Sequence, residues 1–128
     1  MHIRTATGLG LVLIALTVAF LQLLATAYFL YFSLWWFDIV MHFLGGFLVG
    51  GAFIWLLRFE VPPGIRARLS IFSSTLAVIL VVGVAWEVFE YLTNAYSTAN
   101  YALDTALDMV MNVIGTLAAY GLFLHYGK

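Results

Sequence analysis

Cysteine is absent from all 128 residues, which excludes disulfides, iron–sulfur clusters and thiolate metal sites. Charge is nearly as scarce: Asp, Glu, Lys and Arg make up 9% of the chain, and the net charge of −1 argues against a nucleic-acid partner. Only two prolines occur, Pro62 and Pro63, and with Gly64 they mark a single turn. There is no internal repeat, no low-complexity tract and no polar stretch long enough for a soluble domain or a linker. What fills the chain is apolar: 65% of residues are hydrophobic and the mean hydropathy is +1.08, well above the roughly half-apolar composition of soluble domains. The chain reads as an integral membrane protein.

About 20 apolar residues cross the hydrocarbon core as a helix, and four runs reach that length. Residues 8–32 carry no charge; 37–57 carry Asp38 and His42; 70–92 carry Glu87 and Glu90; 103–126 carry Asp104, Asp108 and His125. Helices are required because backbone amides in lipid must pair within the segment, and no strand-like alternation suggests a barrel. The sequence therefore predicts one all-α membrane domain, a bundle of four transmembrane helices joined at 33–36, 58–68 and 93–102. Arg4, Arg58, Arg66, Arg68 and Lys128 all fall on one side of those spans, which places both termini in the cytoplasm. A cleavable signal is the other reading of the first run, since "ATA" at Ala25 to Ala27 loosely matches a cleavage site. The run is long for a signal, continues as "YFLYF", and its removal would leave the remaining orientation unchanged.

This topology gathers the acidic residues. Asp38 and His42 open the second helix, Glu87 and Glu90 close the third, and Asp104 and Asp108 open the fourth, all towards the extracytoplasmic face. At about 1.5 Å per residue the set spans roughly 10 Å of depth. Residues three or four apart share a helix face, so Asp38, His42, Gly45 and Val49 align, as do Gly83, Glu87, Glu90 and Asn94, and Asp104, Asp108, Asn112, Gly115 and Ala119. Each polar stripe runs into small residues, which let membrane helices approach closely, and Gly46 and Gly50 add a GxxxG beside them. The stripes are expected to face one another inside the bundle.

Five carboxylates and one histidine then converge with no Lys or Arg at their depth. Buried, clustered like charges require neutralisation, by shared protons or by a cation. A divalent ion relieves more repulsion than a proton and uses the same ligands, which present on common helix faces as in carboxylate-bridged bundle sites. Oxygen donors with one imidazole suit Zn, Mn, Mg or Fe. The predicted metal ligands are Asp38, His42, Glu87, Glu90, Asp104 and Asp108, with Asn112 supporting, and His42 and Glu87 are also the predicted catalytic groups. Singly, Asp38 and Asp104 suit helix caps as well as ligands, and Glu90 can reach the interface. Glu87 and Asp108 lie a turn deeper, where ionisable groups point to function. Glu60 reads as a solvated loop residue, and His2 and His125 as interfacial. Trp35, Trp36, Trp86, Tyr91, Tyr96 and Tyr101 read as an aromatic belt that could also wall a head-group pocket.

The stretch "FDIVMHFLGGFLVG" resembles the Asp-x-x-x-His-Phe opening of VanZ-like membrane proteins, "WEVFEYL" their Glu-containing segment, and "LDMVMNVIGTLAAY" their closing Asp-x-x-x-Asn-x-x-Gly. The Trp-Glu-x-x-Glu and "DTALDM" stretches are closer still to the YjdF-like inner-membrane family. The resemblance covers about two-thirds of the chain in the same order. It implies a bacterial or archaeal inner-membrane protein and marks Asp38, His42, Glu87, Glu90, Asp104, Asp108 and Asn112. It supports a site and names no reaction. No arginine precedes the last helix, where VanZ-like sequences often carry one, which weakens a borrowed phosphate-binding role.

Three functions fit. One is a metal-dependent enzyme that hydrolyses or modifies a lipid or polyprenyl-linked head group at the outer leaflet. A second is a carrier or channel for cations or protons, although the stripes turn apolar below Asn112 and Thr17, Gln22 and Thr26 offer little for a path. A third is a non-catalytic membrane or lipid-binding protein in which the polar layer locks the helices together.

Overall fold

The computed structural model describes residues 2–93 and 100–126. It contains α1 (Ile3–Tyr28), the single turn α2 (Leu30–Ser33), α3 (Phe37–Phe59), the turn α4 (Pro63–Arg66), α5 (Ile71–Thr93) and α6 (Tyr101–Tyr126). There is no strand among the described residues. Four of these helices, α1, α3, α5 and α6, are long and apolar enough to span a bilayer. The protein is a four-span, all-α membrane protein. Its outer faces carry exposed Leu13, Leu16, Leu23, Val81 and Leu92, side chains that lipid solvates and water would not.

The first helix differs from the stretch 8–32 read from the sequence. It starts at Ile3 and breaks at Phe29, which adopts the left-handed conformation with φ 54° and ψ 42°. That geometry costs a non-glycine residue roughly 1–2 kcal/mol, and it persists because the surroundings reward it. The Phe29 N–H still bonds to Ala25 O, and Ser33 N and Leu34 N bond to Phe29 O and Leu30 O, so the break leaves these amides paired, as a low-dielectric setting demands. The redirected chain folds Leu30, Tyr31 and Leu34 against the buried trio Ala25, Phe37 and Met41. Tyr31 meets Phe37 edge to face at 5.2 Å between ring centroids.

Helix α3 occupies the centre, touching α1, α5 and α6, as an element apolar on every side should. Its most extensive contact is with α6. Glycine makes that contact: a Cβ on Gly46 would collide with the backbone of Asn112, and one on Gly115 with the backbone of Phe43. Two helices cross here backbone to backbone, and Thr116 Oγ1 donates to Gly46 O at 2.9 Å across the seam. The opposite end is tied by arginine. Arg58 donates to Phe123 O at 3.0 Å at the end of α6, and Arg4 pairs with Glu60 at 2.6 Å while its carbonyl accepts from Trp55 Nε1. Glu60, read as a solvated loop residue, is thus paired yet still exposed.

Gly46→Ala and Gly115→Ala are each expected to destabilise the bundle by about 1–3 kcal/mol or more, because backbone atoms cannot yield as a flexible side chain does. Gly10→Ala, with open space around its Cβ, is the control and should melt with the wild type in detergent.

Candidate metal centre

The α3–α6 crossing brings the first turns of both helices together, and α5 delivers its last turns to the same end. Asp38 lies in the first turn of α3 and Asp104 in the first turn of α6, where a helix dipole favours negative charge. One turn further in, His42 and Asp108 face each other. His42 Nε2 is 3.5 Å from Asp38 Oδ1 and 3.7 Å from Asp108 Oδ2. These separations exceed a good hydrogen bond. The His42–Asp108 separation comes near the ~3.4 Å left between two donors that each sit ~2.1 Å from one tetrahedral ion.

His42, Glu87 and Asp108 are buried, and Glu90, Asp38 and Asp104 are partly so. His42, Glu87, Glu90 and Asp108 each place one ligand atom within 4.8 Å of the others, and Asp38, Asp104 and Asp108 do the same. All six residues read from the sequence as ligands therefore fall into two overlapping groups.

Glu87 carries the decisive detail. Its Oε2 accepts a hydrogen bond from Thr105 Oγ1 at 2.7 Å, and its backbone carbonyl accepts from the Tyr101 hydroxyl at 2.6 Å. Its Oε1 is buried with no hydrogen-bond partner among the described residues, although the residue is only 6% exposed. A buried polar atom without a partner costs about 1–3 kcal/mol, and more when charged. Asn112 is buried behind the acidic layer, its side chain near Gly83 on α5.

One side of this layer is open. A cavity of about 370 Å³ between α1, α3 and α5 is bordered by Asp38, His42 and Glu90 at its polar end and by Val49 and Ile79 at its apolar end. Helix α1 rests on α3 and makes at most marginal contact with α5, so the cavity has a flank that no helix seals. Trp86, expected in an aromatic belt, lines this cavity beside Glu90. Glu87 borders a separate recess at the α5–α6 seam, beside Tyr101 and Thr105.

Sequence reasoning missed several polar groups here. Tyr31 also lines the cavity, and its hydroxyl donates at 2.6 Å to Oε1 of Gln22, which the sequence offered only as a weak element of a path. Burial, with the charges of Asp38 and Glu90 nearby, pushes the Tyr31 hydroxyl up to about 12, so it stays a neutral donor at physiological pH. Only the turn at Phe29 brings Tyr31 to Gln22, and nothing in "YFLYF" signals that turn. Thr105 had one signal, its position three residues before Asp108 on the face of the acidic stripe. Asn94, aligned with Glu90 by spacing, and Tyr96 lie outside the described residues.

With the spans and their buried acidic layer in place, the comparison with known families is decisive on one point. The chain belongs to the family described as "Predicted membrane protein (DUF2238)", which it matches over residues 2–128. No curated protein and no solved structure matches it. Membership of the DUF2238 family carries the multi-pass membrane character and no activity, and it does not extend to the VanZ-like or YjdF-like names.

Thr105→Val is expected to lower stability in detergent by about 1–3 kcal/mol, since Glu87 Oε2 loses its donor. Thr105→Ser, which keeps the hydroxyl, should retain most of it; equal loss in both variants would mean that packing, not the hydrogen bond, is what Thr105 supplies.

Proposed function

We propose that the acidic layer is a divalent-metal site, open to the extracytoplasmic leaflet of a bacterial or archaeal inner membrane, which hydrolyses a phosphate ester in a lipid or polyprenyl-linked head group. The observation that carries the metal is the buried, unpartnered Glu87 Oε1 within a set of oxygen and imidazole donors. The donor set suits Zn, Mn, Mg or Fe. Placing the four arginines at the cytoplasmic end, as the positive-inside rule requires, sets the carboxylates at the opposite face. The likeness to VanZ-like and YjdF-like sequences agrees with this membrane and this residue set.

A lipid substrate is supported by the cavity, which joins a polar end to an apolar channel floor and has an unsealed flank between α1 and α5. In that reading the head group meets the ion while a chain lies along Val49 and Ile79. Bound there, a divalent ion would polarise a phosphoryl oxygen and lower the pKa of a water. Water oxygen bonds to phosphorus, its proton passes to a cavity-facing carboxylate, the ester P–O bond breaks, and the leaving oxygen takes that proton. Glu90, which lines the cavity beside Trp86, suits the acceptor. Glu87, enclosed and gripped by Thr105, suits a ligand better than a base, and His42 joins it on the metal.

Transport is supported less well. Below the site the interior closes with Ile54, Ile79, Ala119 and Phe123, and the hydroxyls of Thr17 and Thr26 bond back to Leu13 O and Gln22 O of their own helix instead of lining a path.

Proteoliposomes of the metal-loaded protein should release phosphate or a phosphorylated head group from anionic or polyprenyl-phosphate lipids. A chelator should abolish the release. Glu90→Gln should lower turnover by about 10²-fold or more while retaining metal, and Glu87→Gln should lose turnover and bind less metal than the wild type. Cation flux without turnover would replace this reading with transport.

A further inference from the structure

Asp108 belongs to both ligand groups, and the two groups share nothing else. We infer that the site holds two divalent ions bridged by the Asp108 carboxylate, one bound by His42, Glu87 and Asp108 with Glu90 beside them, the other by Asp38, Asp104 and Asp108. The inference rests on the metal reading above and adds to it the number of ions, their bridge and a division of labour.

Charge is the first reason. The cluster holds five carboxylates, and no arginine of the chain lies at its end of the bundle. With all five ionised, one dication would leave three negative charges inside the membrane boundary, whereas two leave one. The second reason is geometry. Asp108 is 2% exposed and belongs to both groups, and a carboxylate can bridge a pair of ions about 3.5–4 Å apart. The third is the unpartnered Glu87 Oε1, which marks the first group as incomplete without a cation and is independent of the bridging argument.

The two positions are unequal. The first rests on the buried residues His42, Glu87 and Asp108, which suits tight binding. The second has three carboxylates, of which Asp38 borders the cavity, and three protein ligands leave coordination positions free. Both positions meet the cavity, the first through His42 and Glu90 and the second through Asp38. Glu90 beside the first would take the proton of a water there, and the second would receive an oxygen of the substrate.

The test is a manganese titration of the detergent-purified full chain, with bound metal counted at saturation and the electron paramagnetic resonance spectrum recorded. Two equivalents are expected, the second converting the six-line spectrum of an isolated ion into a spin-coupled one. Glu87→Gln and Asp104→Asn should each bind one equivalent with an uncoupled spectrum, and Asp108→Asn should abolish coupling. One equivalent in the wild type, uncoupled at every concentration, overturns the pair and leaves the single-metal site standing. No bound manganese, zinc or magnesium in a helical, monodisperse wild type overturns both. Should a variant fail to fold, the wild-type stoichiometry and spectrum decide alone.

Discussion

Five carboxylates at one end of a membrane bundle, with the arginines held at the other, set the constraint on which the rest of this structure depends. Charges of one sign in a medium of low polarity are tolerated only when something neutralises them and fills their remaining hydrogen-bonding capacity. Every nearby feature bears on that requirement. Thr105 holds one oxygen of Glu87, His42 stands between Asp38 and Asp108, and one Glu87 oxygen is left over.

The packing serves the same end. Gly46 and Gly115 let α3 and α6 touch through their backbones, and this crossing fixes where Asp38 and His42 stand relative to Asp108. A looser crossing would separate the imidazole from the carboxylate by more than one ion can span. The αL turn at Phe29 then lays α2 over the start of α3 and carries Tyr31 to the cavity wall. Arg58 and Arg4 tie the far ends of α6 and α1 to α3 and its following loop, so both ends of the bundle are cross-linked, one by guanidinium groups and the other through the acidic layer.

Much of this was legible in the chain, because apolar run length and three- or four-residue spacing are strong signals in lipid. They gave the four spans, the stripe from Asp108 through Asn112 to Gly115, and the convergence of α3, α5 and α6. The break at Phe29 was not legible, since "YFLYF" is as apolar as what precedes it and the turn is decided by how Tyr31 and Leu34 pack on Phe37. Thr105 was overlooked because a hydroxyl in a helix usually bonds to its own backbone, as Thr75 does here, and only the tertiary structure shows it reaching Glu87 instead. Arg4 and Glu60 stand far apart in the chain, and no local rule joins them.

The most direct test of the claim that cations complete this fold is thermal unfolding of chelator-stripped protein in detergent, with and without added Mn, Zn or Mg. A ligand that binds only the folded state raises stability by about 2.7 kcal/mol at a hundredfold excess over its dissociation constant. A rise in melting temperature that saturates with metal in the wild type is the predicted result. A wild-type melting curve that none of these ions moves would contradict the account.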